Sequence, residues 1–237
     1  MERAALMDVL AATWPVAETR ERAPWRFQKS PGGGKRVNAC VLLGDVGPDD
    51  VGRAEAELRA ADQQYLFQVE EGSDLDTILA ENGYSVVDET LLYQAPVAAL
   101  AAAELPLVTA FPIWPPLQIM RDIWSAGGIG ADRIAVMERA RCDKSTIMGR
   151  VDGRAAGAVF VGLHSGCAMV HALEILADHR RKGLARNLMI AAARWGAARG
   201  ATQIALLVTR QNAGANALYQ SLGMVEEPGY HYRIKAE

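Results

Sequence analysis

At 237 residues the chain is long enough for one large domain or two small ones. Half of the residues are hydrophobic and 22% are charged, as in an ordinary globular enzyme, and a net charge of −3 without a long basic stripe gives no reason to expect nucleic-acid binding. No apolar run approaches the roughly 18 residues of a membrane span, the start MERAALMDVL lacks the shape of a signal peptide, and Cys40, Cys142 and Cys167 are scattered and odd in number, so neither a disulfide framework nor a zinc site is expected and a cytoplasmic location is.

In chain order, the apolar spacing predicts a helix over residues 2–12 and strands over 25–29 and 36–43, joined into a hairpin by Ser30-Pro31-Gly32-Gly33-Gly34. A helix over 48–61 follows, with Asp49 or Asp50 as cap, then a strand over 65–69, a helix over 75–82 and a strand over 86–94. Alanine dominates residues 95–106 and proline brackets them, which reads as a domain connection with its boundary near residue 100. Beyond it come helices over 115–126 and 131–140 and strands over 145–151 and 155–163 separated by the hairpin-like turn Asp152-Gly153-Arg154. A strand over 167–176, a helix continuing to about Arg199, a strand over 202–209, a helix over 213–222 and a strand over 230–235 complete the chain. The fold class is α/β with a mixed sheet.

The sharpest chemical feature is His179-Arg180-Arg181-Lys182-Gly183-Leu184-Ala185, between an apolar strand and a helix. Free N–H groups in a helix's first turn and the helix dipole attract anions, three consecutive cations add charge, and Gly183 and Ala185 leave room for a phosphate to reach the backbone. The expected ligand is a pyrophosphate. Neither GxGxxG nor GxxxxGK[ST] is present, so the dinucleotide and nucleoside-triphosphate loops are excluded.

The pattern Arg180-x-x-Gly183-x-Ala185 resembles the acyl-CoA loop of GNAT N-acetyltransferases, and the downstream stretch N-AGANA-LYQSLGM is similar to the N-x-x-A-x-x-LY-x-x-x-GF signature of the same superfamily, with Met224 in place of phenylalanine. The resemblance spans roughly residues 144–235. It implies a GNAT acyltransferase fold in the C-terminal half and acetyl-CoA as cosubstrate. The CoA contacts it implies are the backbone near Leu173, Ile175 and Leu176, the loop residues Arg180, Arg181, Lys182, Gly183, Leu184, Ala185 and Arg186, and then Asn212, Ala215 and Tyr219. It also places Trp114, Trp124 and Gly127-Gly128 at the acceptor site, although tryptophans at helical spacing equally suit a core.

Acyl transfer to a primary amine needs a group to take the amine's proton and a donor for the departing sulfur. His171, in the segment VHALEI, resembles the histidine of serotonin N-acetyltransferases, and an ordinary imidazole titrates near neutral pH. Period-two alternation puts it on one strand face with Leu173 and Ile175 and puts Glu174, the competing base, on the other unless a bulge intervenes. An ion pair with Arg180 is the alternative role for Glu174. The resemblance makes Tyr219 the acid.

The segment Leu206 to Asn212 has Leu207 where ribosomal-protein alanine acetyltransferases carry a catalytic glutamate, which favours a small amine over a peptide N-terminus. A protein or peptide N-acetyltransferase and a non-catalytic acyl-CoA sensor stay open as alternatives, as does homo-oligomer formation. Finally, LAENGYSVVDETLLY (79–93) lies over LYQSLGMVEEPGYHY (218–232) with one gap, which suggests a degenerate repeat. In that alignment Ala80 falls at the Tyr219 position, and Gly44-Asp45-Val46-Gly47 stands where the cationic loop would be. Residues 1–100 are therefore expected to shape or pack, and residues 101–237 to catalyse.

Overall fold

A computed structural model describes residues 1–47 and 49–236. The elements are α1 (Arg3–Thr13), β1 (Glu18–Arg22), β2 (Trp25–Lys29), β3 (Cys40–Leu42), α2 (Asp50–Ala60), β4 (Tyr65–Val69), α3 (Asp74–Glu81), β5 (Ser85–Pro96), α4 (Val97–Ala101), β6 (Ala110–Ile113), α5 (Gln118–Ala126), α6 (Ala131–Arg139), β7 (Asp143–Val151), β8 (Arg154–His164), β9 (Cys167–Ile175), α7 (Leu184–Ala197), β10 (Gln203–Thr209), α8 (Ala213–Ser221) and β11 (Val225–Lys235). Short 3₁₀ turns lie at Lys35–Val37 and Ala177–His179. The fold is mixed α/β, as expected.

The chain forms two compact units. The larger comprises Met1–Pro15, Leu92–Val208 and Ala213–Glu227, and the smaller comprises Val16–Leu91, Thr209–Asn212 and Pro228–Glu237. The division does not follow the expected boundary near residue 100, because α1 belongs to the larger unit and the end of β11 to the smaller. Residues 95–106 are no linker either. Val97 and Leu100 are buried, and Arg194 of α7 donates to the carbonyls of Ala101 and Ala103, so α4 is fastened to α7.

In the smaller unit the strand order is β1-β2-β3-β4-β11, with β3 and β4 parallel and the other pairs antiparallel. Its core packs Trp25, Phe27, Phe67 and Tyr84 against Leu58 of α2 and Leu79 of α3. Burying each such side chain contributes about 1.5–3 kcal/mol. One strand was not expected, and two expectations need correction here. β1, with the sequence ETRER, has no apolar alternation because it is an exposed edge strand, where charge guards against further pairing. The strand expected over 36–43 shrinks to Cys40–Leu42, since the Asn38 side chain bonds to Ser30 N, Ser30 O and Gly34 O and closes the local loop. β2 and β3 do pair antiparallel, but Trp25 faces Leu42, so a long loop and not a tight turn joins them. The expected helix start at Pro48 lies outside the described residues.

In the larger unit the order is β5-β10-β9-β8-β7-β6. β6, with Pro112, was hidden from alternation and lies at the edge, where a missing N–H is tolerated. The Asp-Gly turn behaves as expected, with φ of 51° at Asp152 and 75° at Gly153, the positive pair that a tight two-residue hairpin requires.

A glycine pair fixes where α7 starts. Gly149 of β7 faces Gly157 of β8, and a Cβ on either would meet the side chain of Leu184, at 2.9 Å and 3.1 Å respectively. The buried Leu184 therefore seats the first turn of α7 into a slot that only glycine leaves open.

Gly157→Val should lower stability by about 1–3 kcal/mol in urea denaturation, because its Cβ would also lie 2.6 Å from Ile175 Cδ1 and 3.1 Å from the Glu174 carbonyl oxygen. In the smaller unit, Asp76 accepts from Arg233 Nε at 2.7 Å and His231 Nε2 at 2.8 Å, and from Gly72 N at 3.0 Å. Burial alone would raise its pKa, but these bonds prevail and lower it. A carboxylate with a depressed folded-state pKa stabilises fully above its unfolded value and loses that contribution as pH falls through the folded one. Stability should thus decline below about pH 4, with a shallower decline in Asp76→Asn, which should itself cost about 3 kcal/mol at neutral pH by leaving Arg233 without its counter-ion.

Candidate active site

The central element is β9. Its parallel register with β10 runs only from Cys167↔Gln203 to Val170↔Leu206, and β9 then continues through His171 to Ile175. On its other side the ladder with β8 is interrupted: Phe160 faces His171 and Ala158 faces Glu174, so Val159 opposes both Ala172 and Leu173. This is a β-bulge, with Ala172 at a φ of 51°. The Trp124 indole N–H donates to the Ala172 carbonyl at 2.8 Å and holds it from α5.

The bulge reverses the expected side-chain parity. Residues directly opposite in a ladder point to the same face, and Ala158 and Phe160 share one, so His171 and Glu174 share that face also. Ile175 faces Gly157 instead and points to the α7 side, where its Cδ1 fills the space a side chain on Gly157 would need. Plain alternation had grouped His171 with Ile175 and separated it from Glu174.

His171 is buried at 4% exposure. Its ring lies 4.9 Å from that of Trp14 and 5.9 Å from that of Phe160. Its Nε2 is 2.8 Å from Thr13 Oγ1, whose single proton goes to the Val9 carbonyl, also at 2.8 Å. Nε2 is then the donor, and the basic nitrogen of the neutral ring is Nδ1. Glu174 makes the ion pair considered for it, with Arg180 Nη2 at 3.1 Å. Its side chain lies against Gly127, where a Cβ would come within 2.4 Å of it.

The cationic loop has the expected form. Arg180 donates to the Ile175 carbonyl at 3.1 Å, which ties the loop to the end of β9. Arg181 and Gly183 take positive φ, 63° and 80°, so the chain coils tightly ahead of α7. A Cβ at Gly183 would meet nothing within 4 Å, so its backbone angle and not packing favours glycine there. Arg181, Lys182, Gly183 and Arg186 are exposed, and Ala185 is half-buried. Leu184 is a core side chain and offers only its backbone. One expected contact is lost: the Leu176 N–H donates to the Ala156 carbonyl at 2.9 Å and is not free for a ligand. Leu173 is half-buried at the bulge, and Asn212 is exposed in the turn after β10, with the half-buried Ala215 on α8.

Tyr219 is buried on α8 with its ring 5.4 Å from that of Tyr93. Burial, then the neighbouring Tyr93 phenol, push its pKa up to about 12, so the phenol keeps its proton at neutral pH. The Tyr93 hydroxyl donates to Glu226 at 2.6 Å, and no such bond engages the Tyr219 hydroxyl among the described residues. The two expected proton carriers thus sit in separate clusters, His171 with Thr13 and Trp14 and Tyr219 with Tyr93. Sequence reasoning missed Tyr93 and Thr13, which no local motif marks. Of the expected acceptor-site residues, Trp124 is fully buried, whereas Trp114 is 37% exposed with Lys144 Nζ 4.7 Å from its ring centre. Buried Cys40 and Cys167 have pKa values pushed up by burial, Cys167 to about 12, and are inert packed thiols at neutral pH. No helix among the described residues is long and apolar enough to cross a membrane.

Comparison with known proteins agrees with this geometry. The model of the acetyltransferase (GNAT) family matches residues 117–224. The chain is 24% identical over 239 residues, 95% of each protein, to the uncharacterized N-acetyltransferase YobR of Bacillus subtilis. Its fold is similar to that of a GCN5-related N-acetyltransferase from Kribbella flavida, with a TM-score of 0.76 at 20% identity over 99% of this chain and 95% of that one. It is also similar in fold to a tandem GNAT protein from the clavulanic acid biosynthesis pathway, with a TM-score of 0.58 at 14% identity over 83% and 74%. The diverging β9 and β10, the bulge and the glycine-fronted helix all lie inside residues 117–224, the segment that matches the GNAT acetyltransferase family.

Proposed function

We propose that the protein is an N-acetyltransferase that moves an acetyl group from acetyl-CoA to the primary amine of a small molecule, by direct attack with both substrates bound. The observation that carries this reading is the loop from Arg180 to Gly183. Its cations, its open glycine and the first-turn N–H groups of α7 suit a pyrophosphate, and Leu184, locked in its glycine slot, keeps them in place. Arg180, Arg181, Lys182, Gly183, Ala185 and Arg186 would hold the phosphates, and Asn212 and Ala215 would line the cosubstrate further along. When bound, acetyl-CoA supplies the activated thioester.

Tyr219 Oη is the proton donor for the leaving sulfur, since a phenol whose pKa lies near 12 is fully protonated at pH 7. His171 Nδ1 takes the amine's proton, directly or through water, while the Thr13 bond fixes the ring through Nε2. Glu174, on the same strand face, is the alternative base and is engaged by Arg180. A small amine is favoured over a peptide N-terminus because Leu207 stands where a peptide-acetylating relative carries its glutamate. We read the protein as cytoplasmic.

We also infer that residues 1–100 derive from a degenerate GNAT-like half. α3 and α8 end alike: Tyr84 N bonds to Leu79 O at 3.0 Å across Gly83, and Met224 N bonds to Tyr219 O at 3.1 Å across Gly223. Counting back from these glycines aligns Leu79, not Ala80, with Tyr219, and either way no phenol is present. Ahead of α2 the Gly47 N–H is already taken by Asp50.

Mass spectrometry of an amine library incubated with acetyl-CoA tests the activity, and acetylation of small primary amines is the expected result; acetylated peptides alone, or no product with CoA still bound, would select the peptide or the sensor reading. Tyr219→Phe should lower kcat by roughly 10 to 10⁴-fold with CoA affinity within a few-fold. His171→Gln should displace the acidic limb of the kcat/KM profile, measured against the amine's own ionisation; a limb retained there and lost in Glu174→Gln would make Glu174 the base.

A further inference from the structure

The His171 face of the sheet is covered by α1, which packs on β8 and β9 and lies outside residues 117–224, the segment that matches the acetyltransferase family. Leu6, Val9 and Leu10 bury this helix in the larger unit, and Thr13 and Trp14 close it, with Trp14 N bonded to Leu10 O at 2.8 Å. Its end is held at two points. A Cβ on Gly162 of β8 would come within 2.8 Å of both the Thr13 Cβ and its methyl group, so the glycine leaves a slot that Thr13 fills. Just beyond, Arg139 of α6 donates to the Pro15 carbonyl at 2.9 Å.

Held in this way, the two residues meet the His171 ring from different directions. Thr13 Oγ1 meets its edge, at 2.8 Å from Nε2. Trp14 covers a face, with the ring centres 4.9 Å apart and the planes tilted by 30°, and packs edge-on against Phe160 on its own account. A cation within about 6 Å of an indole centre is attracted to its π face. An imidazole that takes up a proton here therefore develops its charge opposite a tryptophan, in a setting where His171 is buried. The charged groups of the elements around the ring are exposed or engaged. Asp8 of α1, Asp122 of α5, and Arg154 and His164 at the ends of β8 are exposed. Arg121 pairs with Glu138, and Glu174, on the face of His171, pairs with Arg180. Arg3 stands ten residues before Thr13, about 15 Å along the helix.

We propose that Thr13 and Trp14 are positioning residues for acetyl transfer, which makes α1 a working part of the site. Thr13 keeps the Nε2–H tautomer, and Trp14 holds the plane of the ring and stabilises the imidazolium formed when the amine's proton is taken. This rests on the reading of His171 as the base.

The test is ¹⁵N NMR of the full-length protein labelled at histidine, with the His171 signals identified by their loss in His171→Gln. The wild type should show the Nε2–H tautomer. Thr13→Val keeps the methyl in the Gly162 slot and removes the hydroxyl, so it should lose that preference; Thr13→Ser does the reverse and should keep it. In a pH titration His171 of Trp14→Leu should protonate about 0.4–1.5 pH units below the wild type, as loss of a cation–π contact requires. Trp14→Phe restores a π face and should move less than half as far. With the library amine that gives most product, kcat should fall about 10- to 100-fold in Thr13→Val and Trp14→Leu at an unchanged KM for acetyl-CoA. An Nδ1–H tautomer in the wild type, an unaltered tautomer in Thr13→Val, equal midpoints for Trp14→Leu and Trp14→Phe, or unchanged kcat in both variants would each overturn the assignment. The spectra need no turnover, so a lack of any acetylated amine would count against the transfer reading, while the spectra still decide the two ring contacts.

Discussion

The bulge at Ala172 and Leu173 is the constraint on which the rest of the larger unit depends. Without the extra residue, β9 would present Ile175 toward α1 and α5 and would turn Glu174 toward α7, where an acid would face the apolar Leu184. With it, Ile175 and Leu184 fill the space beside Gly157, and His171 and Glu174 are gathered on the opposite face. A positive φ at a non-glycine residue such as Ala172 is unfavourable by about 1–3 kcal/mol. The indole bond from the fully buried Trp124 offsets part of that, so core packing from α5 maintains an irregular backbone at the candidate site.

Charge is arranged along the same strand with one compensation. The run Arg180-Arg181-Lys182 would repel itself without an anion, and Glu174 neutralises one member while Arg181 and Lys182 stay exposed. An exposed pair of this kind is worth little to stability. Its structural effect is to hold the Glu174 carboxylate toward the loop. The His171 ring on the same face is held by its Thr13 hydrogen bond and by contacts with the rings of Trp14 and Phe160.

The segments legible in the sequence were those whose geometry is local. The Asp152-Gly153 turn, the Gly183 loop and the helix-ending Gly223 each need a particular backbone angle, and glycine or aspartate in the right place reveals it. What stayed hidden depends on partners distant in the chain. ETRER has no apolar alternation to mark it before β2 pairs with it, AFPI carries a proline that only an edge position tolerates, and the bulge that regroups His171 and Glu174 leaves no mark on the spacing of VHALEI. Thr13 and Tyr93 likewise acquire meaning only when tertiary packing sets them beside His171 and Tyr219.

The N-termini of α2 and α7 show how similar architecture diverges electrostatically. Both helices begin after a glycine-containing loop and both leave N–H groups at their first turn. In α7 the residues before the helix are cations and Gly183 opens the backbone, so the dipole and the side-chain charge act in the same direction on an anion. In α2 the Asp50 carboxylate accepts from the Gly47 N–H and pairs with Arg53, so an acid of the protein's own already occupies the position an external anion would take. The Gly47 bond, then Arg53, hold Asp50 below its ordinary pKa, so it is ionised at neutral pH, where a phosphate is charged too. Replacing one loop acid would leave Asp50 in place, so what makes this helix start unsuited to an anion is the whole of it and not a single missing cation.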